Sequence, residues 1–305
     1  MTISELLETV RRIEMRTNRM VNDTMVGAYL SFFKGRGMDF EELREYMPGD
    51  EVRDIDWNVT YRMGRPFVKR FREERELGMV LAVDVSGSSG FGSGSRTKRE
   101  FAAEIAATLA ISATRSSDKV GLLLFSDFPE LYLPPRKGRR HILRIMREML
   151  VFEPKHRATS IPAALAFLNH VLHRRSMVFL LTDFLGADAG ESPDSGRRAA
   201  LDEIGLTNAR HDLVCVHLHD PREAELPAAG LLTLEDAETG ELLEVDSNRS
   251  QTRQLYAETN ARRLEDLDRG FRRVGVDTLR FNTGEPFAQT LQRFFDTRRR
   301  RRRIR

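Results

Sequence analysis

Apolar residues recur along this chain in two alternating patterns. Runs of five or six residues at 79–83, 120–125, 177–181 and 213–218, apolar apart from Gly121 and His217, read as strands buried on both faces. Between and after them, apolar residues recur every three or four positions, the mark of a helix with one buried face. Phe101, Ile105 and Leu109 form one such row, flanked by Ala102, Ala106 and Ala110. Ile142, Ile145, Met146 and Met149 form a second, and Leu165, Leu168 and Leu172 a third. Further on, the pattern predicts helices near 197–206 and 255–271, a hairpin at 231–245 turning at Thr239-Gly240, a last strand at 276–281 and a closing helix at 286–295. Strands alternating with helices of this length need right-handed crossovers and a mostly parallel sheet. Residues 131–133 are expected to form a short reversed edge strand, stopped by Pro134-Pro135.

The first quarter reads differently. Ile3, Leu6, Leu7, Val10 and Ile13 predict an amphipathic helix over 3–19, after which glycine, proline and alternating charge dominate, with strand-like pieces at 66–68 and Phe71. The division expected is an accessory region over 1–76, an α/β domain over 77–297 and an arginine-rich tail over 298–305. Trp57, Phe67 and Phe71 are expected to pack the accessory region on the main domain, since that region shows no obvious core of its own.

In open parallel sheets ligands bind beyond the carboxyl ends of the strands, where this chain places Asp84, Asp127, Asp183 and Asp220. Asp84 begins the segment Asp84-Val85-Ser86-Gly87-Ser88, and Asp183 follows Thr182 directly. Between these strands, Thr159 precedes a helix start with Pro162 in its first turn. Carboxylates and hydroxyls, with no nitrogen or sulfur, suit a hard cation such as Mg²⁺, with Mn²⁺ as the alternative. Each residue alone also serves as a common turn former or helix cap; the ordered combination makes the case for a site.

That combination resembles the metal-ion-dependent adhesion site of von Willebrand factor A domains, with Asp84, Ser86, Ser88, Thr159 and Asp183 matching its ligand positions. The flanks are similar to the "domain of unknown function 58" proteins, a bacterial family associated with MoxR ATPases. The segments carrying that likeness are Gly35 to Tyr46, Pro48-Gly49-Asp50, Ile55-Asp56-Trp57, Val68-Lys69-Arg70-Phe71 and Pro134 to Arg140. The chain departs from the pattern at Tyr61, where a small residue is usual, and at Ala158, where glycine is usual before the threonine. The resemblance implies a von Willebrand factor A-like fold and Mg²⁺ held largely by the serines and Thr159. It also implies a non-enzymatic binding role, with a MoxR-type AAA+ ATPase as one partner and a protein client offering an acidic side chain as another.

Composition changes this picture little. At 305 residues and 40% apolar content the chain can bury a sizeable core. The single cysteine, Cys215, excludes an internal disulfide and fits a buried strand position. With no apolar stretch of about 20 residues and no signal-like start, the expected location is cytoplasmic. The net charge of +3 comes from seven arginines at 298–303 and 305, without which residues 1–297 carry −4. That tail suggests nucleic acid or acidic lipid as a subordinate partner. A Mg²⁺-dependent phosphoryl-transfer enzyme is the rival from another class, although no phosphate loop, lysine clamp or general base is legible. Gly90-Phe91-Gly92-Ser93-Gly94 has the wrong spacing for a dinucleotide loop, and Gly35-Arg36-Gly37 lacks the strand and Lys-Ser/Thr of a phosphate loop. His170 with His173 and His217 with His219 lack further zinc ligands at suitable spacing. Asp127 and Asp220 are read as rim acids or caps.

Overall fold

A computed structural model describes residues 38–73, 78–116, 118–185 and 193–303. The helix expected over 3–19 and the Gly35-Arg36-Gly37 turn lie outside the described residues. The central sheet has six strands in the order β10-β7-β6-β3-β4-β5. These are β3 (Gly78–Asp84), β4 (Lys119–Phe125), β5 (Pro129–Arg136), β6 (Met177–Thr182), β7 (Asp212–His219) and β10 (Asp277–Asn282). All pairs are parallel except β4 with β5. This is the α/β architecture that the strand and helix periods predict.

Both faces of the sheet are covered, which is why its central strands read as continuous apolar runs. Met79, Leu81 and Val83 of β3 point into one core with Phe101, Ile105 and Leu109 of α2 (Lys98–Arg115), the methionines of α3 (Arg139–Val151) and Phe295 of α8 (Ala288–Arg303). Val80 and Ala82 point to the other face, against α4 (Ile161–Val171), α5 (Pro193–Arg210) and α7 (Ser250–Val274). The alanine row of α2 lets that helix lie close to the sheet; Ala102, Ala106, Ala107 and Ala110 are all buried. Among the described residues no helix is long and apolar enough to cross a membrane.

Three expectations change. The reversed edge strand does not stop at Pro134-Pro135 but continues to Arg136, because an edge strand has a free side on which a missing N–H costs nothing. Gly121 accommodates it: a Cβ there would lie 2.9 Å from the Leu133 carbonyl oxygen and 3.1 Å from the Pro135 ring.

The arginine tail does not begin as a free end at 298. Helix α8 runs through the proposed boundary to Arg303, and Arg298 is built into the body through Asp212 at 3.0 Å and a close pair with Asp277. Two carboxylates at the start of β7 and β10 give this guanidinium a reason to be buried.

The accessory region makes its own unit from β1 (Met38–Glu45) paired antiparallel with β2 (Phe67–Glu73), joined by the short helix α1 (Trp57–Met63). Asp56 caps α1 by accepting from the Asn58 and Val59 amides, and Gly64 ends it in the left-handed region. Trp57 is 65% exposed, against the expectation that it packs on the main domain. A seven-residue helix over two strands offers too little surface to bury an indole.

Candidate functional site

The sheet brings the C-terminal ends of β3 and β6 side by side, since these strands pair directly in parallel register from Met79 with Met177 to Val83 with Leu181. Asp84 and the Thr182-Asp183 pair therefore leave the sheet together. Beyond β3 the chain turns through a single 3₁₀ turn, Gly87–Gly90, in which the Ser89 amide and hydroxyl both donate to the Ser86 carbonyl. This turn points Ser86 and Ser88 the same way, their hydroxyl oxygens 3.2 Å apart. Asp84 Oδ1 accepts from the Ser86 amide at 2.9 Å and its Oδ2 from the Thr182 hydroxyl at 2.6 Å. Asp183 accepts from the Leu185 amide at 3.0 Å.

The Thr159 loop is stitched to this turn by backbone. Gly87 N–H donates to the Arg157 carbonyl at 2.8 Å and Ser160 N–H to the Ser126 carbonyl at 2.9 Å. Phe184 is the one non-glycine with positive φ among the described residues, so Ala158 needs no glycine conformation. All five residues singled out from the sequence gather at the sheet's carboxyl edge. Phe184, at φ 56°, is held in that strained state by packing: its ring meets His217 and Phe271 edge-on, and its amide donates to Thr182 Oγ1.

Although they stand at strand ends where ligands enter, Asp84 and Asp183 are each only 4% exposed. Two buried carboxylates side by side repel, and the chain compensates for one of them. Lys98, on the first turn of α2 and 2% exposed, ion-pairs with Asp183 Oδ2 at 2.5 Å and with Glu223. Burial is the strongest single influence and pushes Asp183 up, but the Lys98 charge, the Lys98 hydrogen bond and the Leu185 amide together outweigh it and hold this carboxyl below its usual range. Asp84 has no such partner: burial, and then the charge of Asp183, push it up to about 7 against the bonds from Thr182 and Ser86. Sequence reasoning missed Lys98. Its only signal is a lysine on the first turn of an otherwise alanine-rich core helix, on the side of the N-terminus where a cation is disfavoured.

A second missed residue is Glu238. It stands on the turn between β8 (Leu231–Glu235) and β9 (Leu242–Asp246), the hairpin foreseen at 231–245, and its Oε1 accepts from the Thr159 hydroxyl at 2.7 Å. Burial and the charge of Asp183 raise its carboxyl, with the Thr159 bond opposing. The hairpin backbone reaches the turn after β3 as well: a Cβ on Gly87 would meet the Ala237 carbonyl oxygen at 2.0 Å. This covering turn is one reason the site is buried rather than open.

The remaining strand-end acids support the site. Asp220 accepts from Ser93 N (3.0 Å), Ser93 Oγ (2.5 Å), Thr283 Oγ1 (2.8 Å) and the Arg222 amide (3.0 Å), tying the Gly/Ser loop to the end of β7 and capping α6 (Pro221–Ala224). Glu223 closes the same capping box through the Asp220 amide and carries the chain of contacts on to Lys98. The cap reading of Asp220 is therefore the observed one, and Asp127 pairs with His156 at 2.9 Å on the rim. Asp220→Ala leaves four donors without their acceptor, so a loss of about 2–4 kcal/mol in urea unfolding is the expected result. His170 and His173 are exposed, and His217 and Cys215 are packed in the sheet; burial pushes His217 down to about 3.

Among the described residues no three His, Cys, Asp or Glu side chains form a metal-ligating group by themselves, so a cation here depends on the hydroxyls. The donor set fits one: three hydroxyls and two carboxylates, all oxygen, with Asp84 ionising only at a penalty in the absence of a positive charge.

Residues 42–266 match the family described as "Protein of unknown function DUF58". The chain belongs to that family. Its curated relatives include the uncharacterized protein Rv1480 of Mycobacterium tuberculosis, 29% identical over 298 residues, covering 97% of this chain and 90% of the relative. A shorter relative, the uncharacterized protein MAV169 of Mycobacterium avium, is 29% identical over 170 residues, covering 55% of this chain and 94% of the relative. Among solved structures, the chain is similar to BatB from Bacteroides thetaiotaomicron, with TM-score 0.44 and 14% identity over 73% of this chain and 98% of that one. It is also similar to the SpRpn10 VWA domain, with TM-score 0.35 and 10% identity over 70% and 93% of the two chains.

Proposed function

We propose that this chain is a cytoplasmic, metal-dependent protein-binding module whose site is formed by Asp84, Ser86, Ser88, Thr159 and Asp183. The observation that carries the reading is their convergence at the carboxyl edge of the sheet, together with a carboxylate, Glu238, already seated on Thr159. A bound Mg²⁺ would supply positive charge to the two buried carboxylates and an attachment point for a carboxylate from outside. The chain's own groups do the rest. Thr182 and the Ser86 amide orient Asp84, while Lys98 and the Leu185 amide orient Asp183. The 3₁₀ turn aligns the two serines, and the Gly87–Arg157 backbone bond sets the Thr159 loop beside them.

The likeness to the MoxR-associated family supports a MoxR-type AAA+ ATPase as partner and an adaptor role in assembling or remodelling protein complexes, with an acidic group on the client. The phosphoryl-transfer alternative finds no support in Lys98, which is buried and committed to Asp183 and Glu223 rather than presented to a phosphate.

The test is affinity capture of a MoxR-type ATPase and its client by the full chain in Mg²⁺ and in EDTA. Capture that requires Mg²⁺, vanishes in Asp183→Ala and weakens less in Thr159→Ala is the expected result, since a water can replace a neutral hydroxyl ligand but not a charge. Capture indifferent to both chelation and Asp183→Ala contradicts the proposal.

A further inference from the structure

We infer that the β8–β9 hairpin is a built-in competitor for the site: Glu238 occupies the seat meant for a partner's carboxylate, and an acidic loop of the partner must displace it. The inference rests on the binding role proposed above and adds how that site is kept closed and what opens it.

The turn is built to present this one side chain. Asp236 Oδ1 accepts from both the Glu238 and Thr239 amides at 2.9 Å, Asp236 N–H pairs with the Glu241 carbonyl, and Gly240 takes φ 77° to close the turn. Glu238 is thus delivered on a preorganised turn and accepts from Thr159 at 2.7 Å. The Ala237 carbonyl lies against Gly87, so the turn and the serine loop are in backbone contact.

The rest of the hairpin holds on weakly. Leu231, Leu242 and Leu243 are 66%, 69% and 63% exposed, so its strands bury little apolar surface on the body. Its root is fixed instead, by Ser247 with Gly230 and by Arg253 with the Ser247 and Asn248 carbonyls. A hairpin anchored at its root, and held near its tip by the Glu238–Thr159 bond, the Ala237–Gly87 backbone contact and an exposed Glu235–Arg157 pair, can swing out as a unit.

Beside the seated tip lies a cleft of about 550 Å³, with Ser86 and Gly87 on one wall, Glu235 and Ala237 on another, and Arg99 and Arg157 among its lining. Arg157 faces Glu235 of the hairpin at 3.8 Å, both side chains well exposed. Lifting the hairpin frees Arg157 and joins the cleft to the vacated seat. A partner loop resembling the turn it replaces, with a carboxylate at its apex and acidic neighbours, meets complementary charge there.

The experiment uses the full chain and two variants, followed by amide hydrogen exchange across 236–241 and by NMR of the Gly87 and Thr159 amides. Glu238→Ala removes the plug's side chain. Gly87→Ala leaves Glu238 and every candidate ligand in place but puts a methyl against the Ala237 carbonyl. In both, exchange over the turn should rise by about tenfold or more, the consequence of losing a charge-assisted bond or the close backbone seat. With Mg²⁺ present, propionate, which reproduces the lost side chain, should shift the Gly87 and Thr159 amides saturably in Glu238→Ala and not in the parent. Unchanged exchange in both variants, with propionate acting alike on parent and Glu238→Ala, overturns the inference. A parallel Mg²⁺ titration of Glu238→Ala separates the two ideas. Mg²⁺ binding without any hairpin response sinks the competitor alone, and a hairpin response without Mg²⁺ binding sinks the metal reading while the plug stands.

Discussion

Asp84→Asn is expected to stabilise the metal-free protein at pH 8 by about 2–4 kcal/mol relative to the parent, by less at pH 5, and to leave it nearly unchanged only near pH 3, below both values. The Asp84 carboxyl is raised to about 7 in the folded chain, by burial first and by the Asp183 charge second, from an ordinary value of 3.8. A carboxyl raised on folding binds its proton more tightly in the native state. Its contribution to stability is therefore full below about 4 and is lost as pH rises through about 7. Asparagine never ionises, so the variant escapes that loss. The parent-minus-variant difference isolates Asp84 from the buried histidines, whose lowered values make the protein less stable toward acid in the same range. Urea unfolding of both proteins in EDTA at a series of pH values measures it. Saturating Mg²⁺ at pH 8 should restore the parent and do little for the variant, because a cation removes the same penalty that asparagine removes.

Lys98→Met is the second large effect. Replacing the ammonium by an apolar chain of similar length leaves the buried Asp183, and the half-buried Glu223 beside it, without their common partner, and removing one member of a buried pair costs about 3–5 kcal/mol. The metal-free variant should unfold at correspondingly lower urea concentration. Its site is also more negative by one charge, so Mg²⁺ should bind it more tightly than the parent and recover a larger share of the loss. A variant as stable as the parent, with unchanged Mg²⁺ affinity, would show that Lys98 does not balance this charge cluster. Lys98→Arg is expected to recover little, because a planar guanidinium does not fit a seat shaped around one ammonium between two carboxylates.

The sheet and most of its helices were legible because burial on both faces writes itself as unbroken apolar runs; 79–83, 177–181 and 213–218 all lie within observed strands. Element ends were less legible. The helix read as 255–271 runs from Ser250 to Val274, since its exposed outer turns carry no apolar period. Pro134-Pro135 read as a strand stop, but an edge strand tolerates what an inner one does not.

The candidate site divides in the same way. Asp84, Ser86, Ser88 and Asp183 sit at strand ends, where position along the chain nearly fixes position in space, so they could be placed together from sequence. Lys98 and Glu238 reach the same point from a helix start and a hairpin turn, and only tertiary packing brings them there. Burial of the site was invisible for the same reason: the cover is a hairpin more than 140 residues downstream of the Asp84 segment in the chain. Trp57 shows the converse, an aromatic that composition assigns to an interface and the structure leaves 65% exposed.

The most direct measurement is a calorimetric titration of Mg²⁺ into the parent, Asp84→Asn and Asp183→Asn at pH 8, with each variant first shown to unfold cooperatively. One saturable site is expected in the parent, with a loss of affinity of at least about a hundredfold in both variants, as befits removal of a charged group from a buried cation site. Equal Mg²⁺ affinity in all three proteins would contradict this expectation.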